Sequence, residues 1–404
     1  MLADVRVLEL SAPSTMLAGQ ILGDLGADVV TVEPPAGAKG RRLPPFVDAL
    51  PGLENSLTWH ALNRNKRGVT LDVAGPDGRA ILGDLIQQFD IVIEWVDGRS
   101  CLEGLARPEG LIVCEIAAFS RTGPKACYLA TDAVLTAAGG AAAMAGDPDR
   151  PPGFFPVPQP MMEAGAEAAV AALAALSARD RLGGGQTVEV QARIAAAFAS
   201  MGRLLVGRSG DRALQRAPAQ AVGRMPVVPG TYACADGWVT ITVAFGPSFV
   251  AMTQRIASWL AEEGALRPEL AQVNLMEVAR AAARGDGDPE PIERLVCGLV
   301  ETCKAKSKAE VVEISKRHRF MAAPAMDMGD IAGFEHYRQR GLFVHQKVGD
   351  RVIDAPARFA QFANYQIEVR RPAPRLSQHT TEVLSEFAGL NGLELQALFE
   401  RGVI

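Results

Sequence analysis

Hydrophobic and polar residues alternate along the N-terminal part of the chain in blocks that predict strands separated by helices. Residues 5–10 and 27–33 have the pattern of strands, and the stretch between them, 15–26, has helical spacing and a terminal glycine. A strand, a helix and a second, valine-rich strand form a βαβ unit, which requires a parallel sheet. An amphipathic helix at 76–89 is followed by further strands at 91–94, 111–116 and 187–190. The pattern predicts an α/β fold.

The stretch 156–191 changes pattern twice and is the most informative part of the chain. Three prolines in its first five residues exclude a helix and hold the backbone extended. From Glu163 onward, small residues with Val and Leu at helical spacing predict a helix that packs closely against its neighbours. Glycines at 183–185 end that helix. On pattern alone, this is a core helix with a glycine stop.

A polar, irregular stretch at 208–220 predicts a boundary between domains. After it, two short strands flank the Asp236-Gly237 turn, and residues 250–320 are mostly helical, with Ser307 as the expected cap of a helix. We therefore divide the chain into a large N-terminal domain, a small domain and a C-terminal return to the large domain, with bounds at 1–210, 221–325 and 326–404.

Composition excludes several classes of protein. The 404 residues carry 41 Lys and Arg against 46 Asp and Glu, a net charge of −5, whereas a nucleic-acid-binding protein should have a basic excess. No uninterrupted apolar run of about twenty residues occurs, so no membrane span is expected. The N-terminus begins directly with a strand and lacks the pattern of a secretory signal. We expect a cytoplasmic protein that binds neither nucleic acid nor membranes.

The titratable side chains predict no metal site. The six cysteines include no CxxC pair, which fits reduced thiols, and the five histidines have no metal-ligand spacing. The turn after the first strand, Ser11-Ala12-Pro13-Ser14, also lacks the GxGxxG fingerprint of dinucleotide-binding proteins. A parallel sheet in this chain therefore does not imply an NAD site.

Several short motifs, in order and at the expected spacing, resemble those of the class III CoA-transferases, the CaiB/BaiF family. Around the long helix, Ala164-Gly165, Arg179 and the run from Gly183 to Val190 follow the family pattern. Further matches occur at 23–35, at 63–72 and at 371–380. The resemblance extends from Val5 to Ile404. It implies a Rossmann-like large domain with a parallel sheet, a smaller α+β domain, and an obligate dimer of interlocked subunits.

Met161 stands where this resemblance places the catalytic aspartate of the family, four residues before Gly165. In the family, that aspartate attacks the acyl-CoA thioester and later carries CoA as an aspartyl thioester, which requires an anionic oxygen nucleophile. A methionine thioether has no charge or proton to lose. Glu163, two residues further on, is a candidate substitute, although its use would shift the register of the whole motif. Thr131 likewise replaces the histidine of the racemase branch, so two-base proton exchange is not supported.

The resemblance also implies which residues contact CoA or acyl-CoA, the expected substrate, with no covalently bound cofactor. Lys66 and Arg67 precede a strand and would bind phosphate oxygens through charge-assisted hydrogen bonds, although composition alone explains them equally well as a solvated loop. Arg41 belongs to a basic segment after the second strand. Arg99 lies in the loop where the family has a CoA-binding arginine, and Ser14 follows the first strand. The acyl pocket is expected around Phe46, Trp59 and Met162.

Three functions remain open. The first is a non-catalytic subunit paired with a paralogue that retains the aspartate, as in succinyl-CoA-dependent benzylsuccinate CoA-transferase. The second is a homodimeric acyl-CoA lyase or isomerase that uses another residue, such as Glu163. The third is a CoA-binding protein without catalysis. We favour the first because the cations expected to bind phosphate persist, while the nucleophile and the glycine-rich lid loop are lost; only Ala244-Phe245-Gly246-Pro247 stands at the lid position.

Overall fold

The computed structural model describes residues 1–126, 128–146, 150–199, 201 and 225–404. Cys127, the Asp147-Pro148 part of one family motif and the predicted boundary at 208–220 lie outside the described residues. The chain divides into two compact units, a larger one of residues 1–143, 154–214 and 335–404 and a smaller one of residues 144–153 and 215–334. We predicted the small domain at 221–325. The smaller unit begins earlier, at residue 215, ends later, at residue 334, and also includes the separate segment 144–153.

The described strands and helices are numbered here in chain order. The strands are β1 (Arg6–Leu10), β2 (Asp28–Glu33), β3 (Lys66–Thr70), β4 (Ile91–Trp95), β5 (Ile112–Ala117), β6 (Thr187–Gln191), β7 (Thr231–Cys234), β8 (Gly237–Ile241), β9 (Ala322–Ala325), β10 (Phe343–Val348) and β11 (Arg351–Pro356). The α-helices are α1 (Met16–Asp24), α2 (Leu57–Leu62), α3 (Pro76–Leu85), α4 (Asp132–Ala138), α5 (Ala141–Met144), α6 (Gln159–Leu182), α7 (Ala192–Phe198), α8 (Val250–Glu262), α9 (Pro268–Ala271), α10 (Leu275–Arg284), α11 (Glu290–Lys304), α12 (Lys308–His318), α13 (Met328–Gly333), α14 (Glu335–Gln339), α15 (Thr380–Ala388) and α16 (Gly392–Glu400).

The larger unit is built on a six-stranded parallel sheet with the strand order β3-β2-β1-β4-β5-β6. Its four central strands, β2, β1, β4 and β5, are mostly apolar and buried on both faces, as parallel strands covered by helices are. Leu8 of β1 is in register with Val30 of β2 on one side and with Val92 of β4 on the other. Because the strand order reverses at β1, a crevice opens between the carboxyl ends of β1 and β4, where doubly wound sheets bind ligands. The predicted α/β fold is confirmed.

Each face of this sheet has its own apolar core. One core, which includes Val29, Ile93 and Ala168, joins the sheet to α1 and α6. The other, which includes Val30 and Leu384, joins it to α3, α15 and α16. The C-terminal helices therefore complete the larger unit, and β10 and β11 form an antiparallel hairpin ahead of them.

Helix α6 ends where the sequence predicts but begins earlier. It starts at Gln159 rather than at Glu163 and includes Pro160, which is tolerated in a first helical turn because the N–H there has no partner within the helix. It ends at Gly183, which adopts a left-handed conformation with φ 75°. Its buried positions are Ala and Gly apart from Pro160, and an added Cβ on Gly165 would lie 2.8 Å from the carbonyl oxygen of Ser14. Among the described helices, α6 alone has the length and apolar composition of a membrane span, with a mean hydropathy of 1.3. It packs against α1 and β5, as core helices of the same composition do.

The smaller unit contains a three-stranded antiparallel sheet in the order β7-β8-β9. Tyr232 pairs with Val239, which in turn pairs with Pro324. Its core includes Ile256 of α8 and Leu295 of α11. The predicted cap of α12 is confirmed: Ser307 accepts a hydrogen bond from the backbone of Glu310, whose side chain in turn accepts one from Ser307 N–H.

Candidate functional site

A cavity of about 720 Å³ opens in the larger unit at the carboxyl ends of β1 to β4. This is the position that the strand order favours for a ligand, and the volume lies in the range of small-molecule sites. The walls come from the segments that follow these strands and from the first turns of α4 and α6. They are lined by residues 10–14, 32–34, 37–39 and 71–74, and by Trp95, Asp97, Cys101, Leu129, Ala130, Thr131, Val134 and Met161.

The turn after β1 brings two serines to the cavity. Ser14 is 1% exposed and lies beside Gly165 of α6, where the absence of a side chain lets the two segments approach. The hydroxyl of Ser11 is buried and has no hydrogen-bond partner within the described part of the chain. A buried hydroxyl without a partner is destabilising. A ligand that hydrogen-bonds Ser11 would remove that penalty.

Met161 lines the cavity from the first turn of α6. Its backbone N–H donates to Asp132 Oδ1 over 3.4 Å, and Asp132 itself begins α4 after the capping residue Thr131. Burial raises the pKa of the Asp132 carboxyl, while the N–H bond from Met161 opposes that shift. The side chain that reaches the cavity from this turn is therefore a thioether, with a carboxylate behind it.

Glu163, the proposed substitute nucleophile, is half-buried but does not line the cavity. Its pKa is raised first by burial and then by the negative charges of Glu167 and Asp132. Because it lies two residues further along α6 than Met161, it projects from a different side of the helix.

Lys39 supplies the only cationic side chain among the described residues that line the cavity. It is exposed, and within the described part of the chain it makes no ion pair. The neighbouring Arg42 fixes the loop that carries it, by donating to the carbonyl oxygens of Ala36, Gly37 and Ala38 at 2.7, 2.9 and 3.2 Å. We did not predict Lys39 as a site residue, although it lies inside the basic segment after β2.

Lys66 was predicted to contact phosphate, but it lies in the interior of the larger unit with no exposed surface. Its Nζ donates to Glu9 Oε2 at 2.6 Å, to the Met16 carbonyl at 2.8 Å and to Asn63 Oδ1 at 2.9 Å. Burial lowers the pKa of Lys66, and Glu9 opposes that shift. These contacts use all three ammonium hydrogens, so they replace the predicted phosphate contact with a structural ion pair.

Three other predicted CoA contacts also have protein partners and do not line the cavity themselves. Arg41 is buried and bidentate to Glu33, at 2.6 and 2.8 Å. Arg67 is paired with three carboxylates, those of Asp28, Glu382 and Glu386. The Arg99 side chain is 81% exposed and pairs with Glu103. Of the five predicted residues, only Ser14 lines the cavity.

The predicted acyl pocket also differs from the structure. Phe46, Trp59 and Met162 do not line the cavity. Trp59 is fully buried, donates from Nε1 to the Pro374 carbonyl at 3.1 Å and lies under the Arg41 guanidinium, whose carbon is 4.0 Å from the ring centroid. The aromatic residue that does line the cavity is Trp95, whose indole N–H donates to Asp97.

Among the described residues, no group of three or more His, Cys, Asp or Glu side chains could hold a metal ion. The cavity wall, as far as it is described, supplies hydroxyls, one amine, carboxylates and an aromatic face. Such a wall suits an organic ligand with polar and apolar parts.

The sequence of the chain matches the model of CoA-transferase family III over residues 2–380. The chain belongs to this family. Its fold agrees with that of a solved CaiB/BaiF family protein from Brucella suis, at a TM-score of 0.77 and 23% identity over 95% of this chain and 98% of the other.

Curated members of CoA-transferase family III include subunits of two-component enzymes. The chain is 28% identical to the succinyl-CoA:(R)-benzylsuccinate CoA-transferase subunit BbsE of Thauera aromatica, over 99% of this chain and 97% of the other. It is 26% identical to the succinyl-CoA–L-malate CoA-transferase beta subunit of Chloroflexus aurantiacus, over 100% and 98%. The succinate–glutarate CoA-transferase of Agrobacterium fabrum is 28% identical, over 95% of each chain.

Proposed function

We propose that this chain is the non-catalytic subunit of a heteromeric acyl-CoA:carboxylate CoA-transferase, binding CoA or acyl-CoA in the cavity at the carboxyl ends of β1 to β4. Its partner would be a paralogous subunit that carries the catalytic aspartate, in a cytoplasmic, interlocked dimer. The partnership is supported by relatives that are themselves named as subunits. The chemistry would remain with the paralogue.

The observation that carries the proposal is the position of Met161. It lies in the cavity wall, in the first turn of α6, where the family pattern places the nucleophile. CoA transfer through a covalent intermediate needs an oxygen that attacks the thioester carbonyl and then accepts CoA as a thioester. A thioether sulfur cannot hold an acyl group in this way, so the transfer requires a carboxylate from another polypeptide.

The remaining contacts with CoA come from this chain. Ser14 and the unpartnered Ser11 hydroxyl lie beside the start of α1 and can hydrogen-bond polar groups of the ligand. Lys39 can pair with phosphate through a charge-assisted hydrogen bond. The Trp95 ring offers a face on which a base can stack. Each of these contacts binds the ligand without reacting with it.

We expect the isolated chain to show no CoA transfer, and co-expression with an aspartate-bearing paralogue to restore it. The measurement is the formation of new acyl-CoA, followed by chromatography, from a panel of carboxylic acids and from acyl-CoA donors with and without a distal carboxylate. The matched control is the paralogue with its aspartate replaced by asparagine, which should be inactive in the complex. Transfer by the isolated chain would contradict the proposal.

A homodimeric lyase or isomerase acting through Glu163 is the second candidate, and it makes the opposite prediction. Activity of the isolated chain that disappears on Glu163→Gln would favour it. Binding of acyl-CoA with no turnover in either arrangement would leave a CoA-binding protein without catalysis. We do not expect activity that depends on Glu163, because Glu163 does not line the cavity.

Lys39→Met tests whether the chain binds CoA in this cavity. Removing the ammonium group is expected to weaken CoA binding by about 10- to 100-fold, because a hydrogen bond to a charged group contributes about 1.5–3 kcal/mol. Titration calorimetry with CoA and with dephospho-CoA measures the loss and shows which phosphate is contacted. Unchanged affinity for both ligands would show that Lys39 does not contact phosphate.

A further inference from the structure

The two ends of the cavity differ in the chemistry of their walls. Towards β2 and β3, the wall includes the charged side chains of Lys39 and Asp72. Towards α4 and α6, it is mostly apolar: Leu129, Ala130, Val134 and Met161 line it together with the Thr131 side chain, and Leu129 is 72% and Val134 45% exposed. Exposed apolar side chains at the mouth of a cavity gain stability when an apolar ligand covers them.

The groups behind this apolar end are acidic. The Asp132 carboxylate accepts from the Met161 N–H, and Glu163 and Glu167 follow on the same helix. Burial raises the pKa of Glu163 above its usual range, and the negative charges of Glu167 and Asp132 add to that shift. Of these groups, the Asp132 carboxyl is the one bonded to the Met161 backbone, so a further negative charge placed next to Met161 would lie near it.

No described residue that lines the apolar end is a cation. The cations on neighbouring segments, Lys125 and Arg193, instead lie over the ring of Phe119, at 5.8 and 5.7 Å from its centroid. A carboxylate on the bound acyl group would therefore lose its hydration without gaining an ion pair from these residues.

From this wall we infer that the acyl group held next to Met161 is uncharged and apolar, rather than one that carries a second carboxylate. The inference rests on the proposed binding of acyl-CoA in this cavity and extends it to the class of thioester. The nucleotide part of the ligand then occupies the end with Lys39, and the acyl part covers Leu129 and Val134. Related enzymes named for succinyl-CoA would differ from this chain at that end of the cavity.

A pair of isosteric thioesters isolates the charge of the acyl group. Isocaproyl-CoA has an isopropyl group where succinyl-CoA has its distal carboxylate, so the two ligands are similar in shape and differ in charge. We expect the full-length chain to bind isocaproyl-CoA at least about tenfold more tightly than succinyl-CoA by titration calorimetry, since an unpaired charge at an apolar wall costs more than about 1.4 kcal/mol. Equal affinities, or tighter binding of succinyl-CoA, would overturn the inference.

Free CoA separates this result from a failure of the proposed function. If the chain binds free CoA but prefers succinyl-CoA, only the inference about the acyl group fails. If it binds neither free CoA nor either thioester, the proposed function fails, and the inference fails with it.

Val134→Lys tests whether the apolar end itself sets the preference. A cation at this exposed position should strengthen succinyl-CoA binding and reverse the order of the two thioesters. Val352→Lys is the matched control, since Val352 is 68% exposed on β11 and does not line the cavity. It should leave the wild-type order unchanged. If both variants keep that order, the preference does not arise next to Val134, and the inference is wrong.

Discussion

Lys66→Met is expected to lower the free energy of unfolding by about 3–5 kcal/mol, because it leaves the Glu9 carboxylate buried without its partner. Both side chains have 0% exposure, and the ion pair is 2.6 Å long. Methionine has a similar length and cannot neutralise Glu9. Urea denaturation followed by circular dichroism measures the loss as a lower midpoint with little change in slope.

Lys39→Met is the matched control, because it makes the same substitution at an exposed position in the cavity wall. It should change the urea midpoint little and weaken CoA binding. Lys66→Met, in contrast, should lower the urea midpoint. If Lys66→Met kept the wild-type midpoint and lost CoA affinity, Lys66 would be a phosphate contact after all. The two variants together separate a structural cation from a ligand-binding one.

The sequence predicted the elements of the larger unit well, because local periodicity determines them. Neighbouring residues alone produce the pattern of two strands, β1 and β2, on either side of a short helix. They also produce the small-residue pattern of α6, which ends at Gly183. The order of the six strands is not local in this way. It follows from which helices cover which face, and only the structure gives it.

The roles of the cations could not be predicted from local sequence. Lys66 and Arg67 are adjacent and were expected to precede a strand, which suits a phosphate-binding loop as well as a buried network. In the structure both lie within β3. The structure covers this edge strand with the C-terminal segment: Gly68 N–H donates to His379 Nδ1 at 3.0 Å, and Thr70 N–H donates to Thr380 Oγ1 at 3.0 Å. Contacts more than 300 residues apart in the chain leave no periodic signal.

The apolar residues of the cavity wall could not be predicted from local sequence either. Leu129 precedes α4 and Val134 lies in its first turn, and single exposed apolar residues at such positions carry no information about a binding site. Trp59 and Phe46 were better candidates by size, but large aromatic residues are also the ones that cores bury. The position of Met161 was different, because a motif of fixed spacing around Gly165 predicted a site position there, and Met161 lines the cavity.

Arg41→Met is expected to lower the free energy of unfolding by about 3–5 kcal/mol and also to weaken CoA binding. Arg41 and Glu33 are both fully buried and joined by two hydrogen bonds. Glu33 in turn accepts from the backbone N–H of Ala38 at 3.0 Å, next to Lys39. Without the guanidinium, the Glu33 carboxylate loses its neutralising charge, and the loop that positions Lys39 loses part of its support.

Arg42→Met is the control beside it, since the two arginines are neighbours in sequence and differ only in their surroundings. Arg42 is exposed and, among the described residues, donates to backbone carbonyls, so its loss leaves no buried charge unpaired and should cost less than the loss of Arg41. Adding Glu33→Gln to Arg41→Met should recover part of the stability, because the unpaired charge is then removed. Equal urea midpoints for the two single variants, or no recovery in the double variant, would show that the buried pair of Arg41 and Glu33 does not support this wall of the cavity.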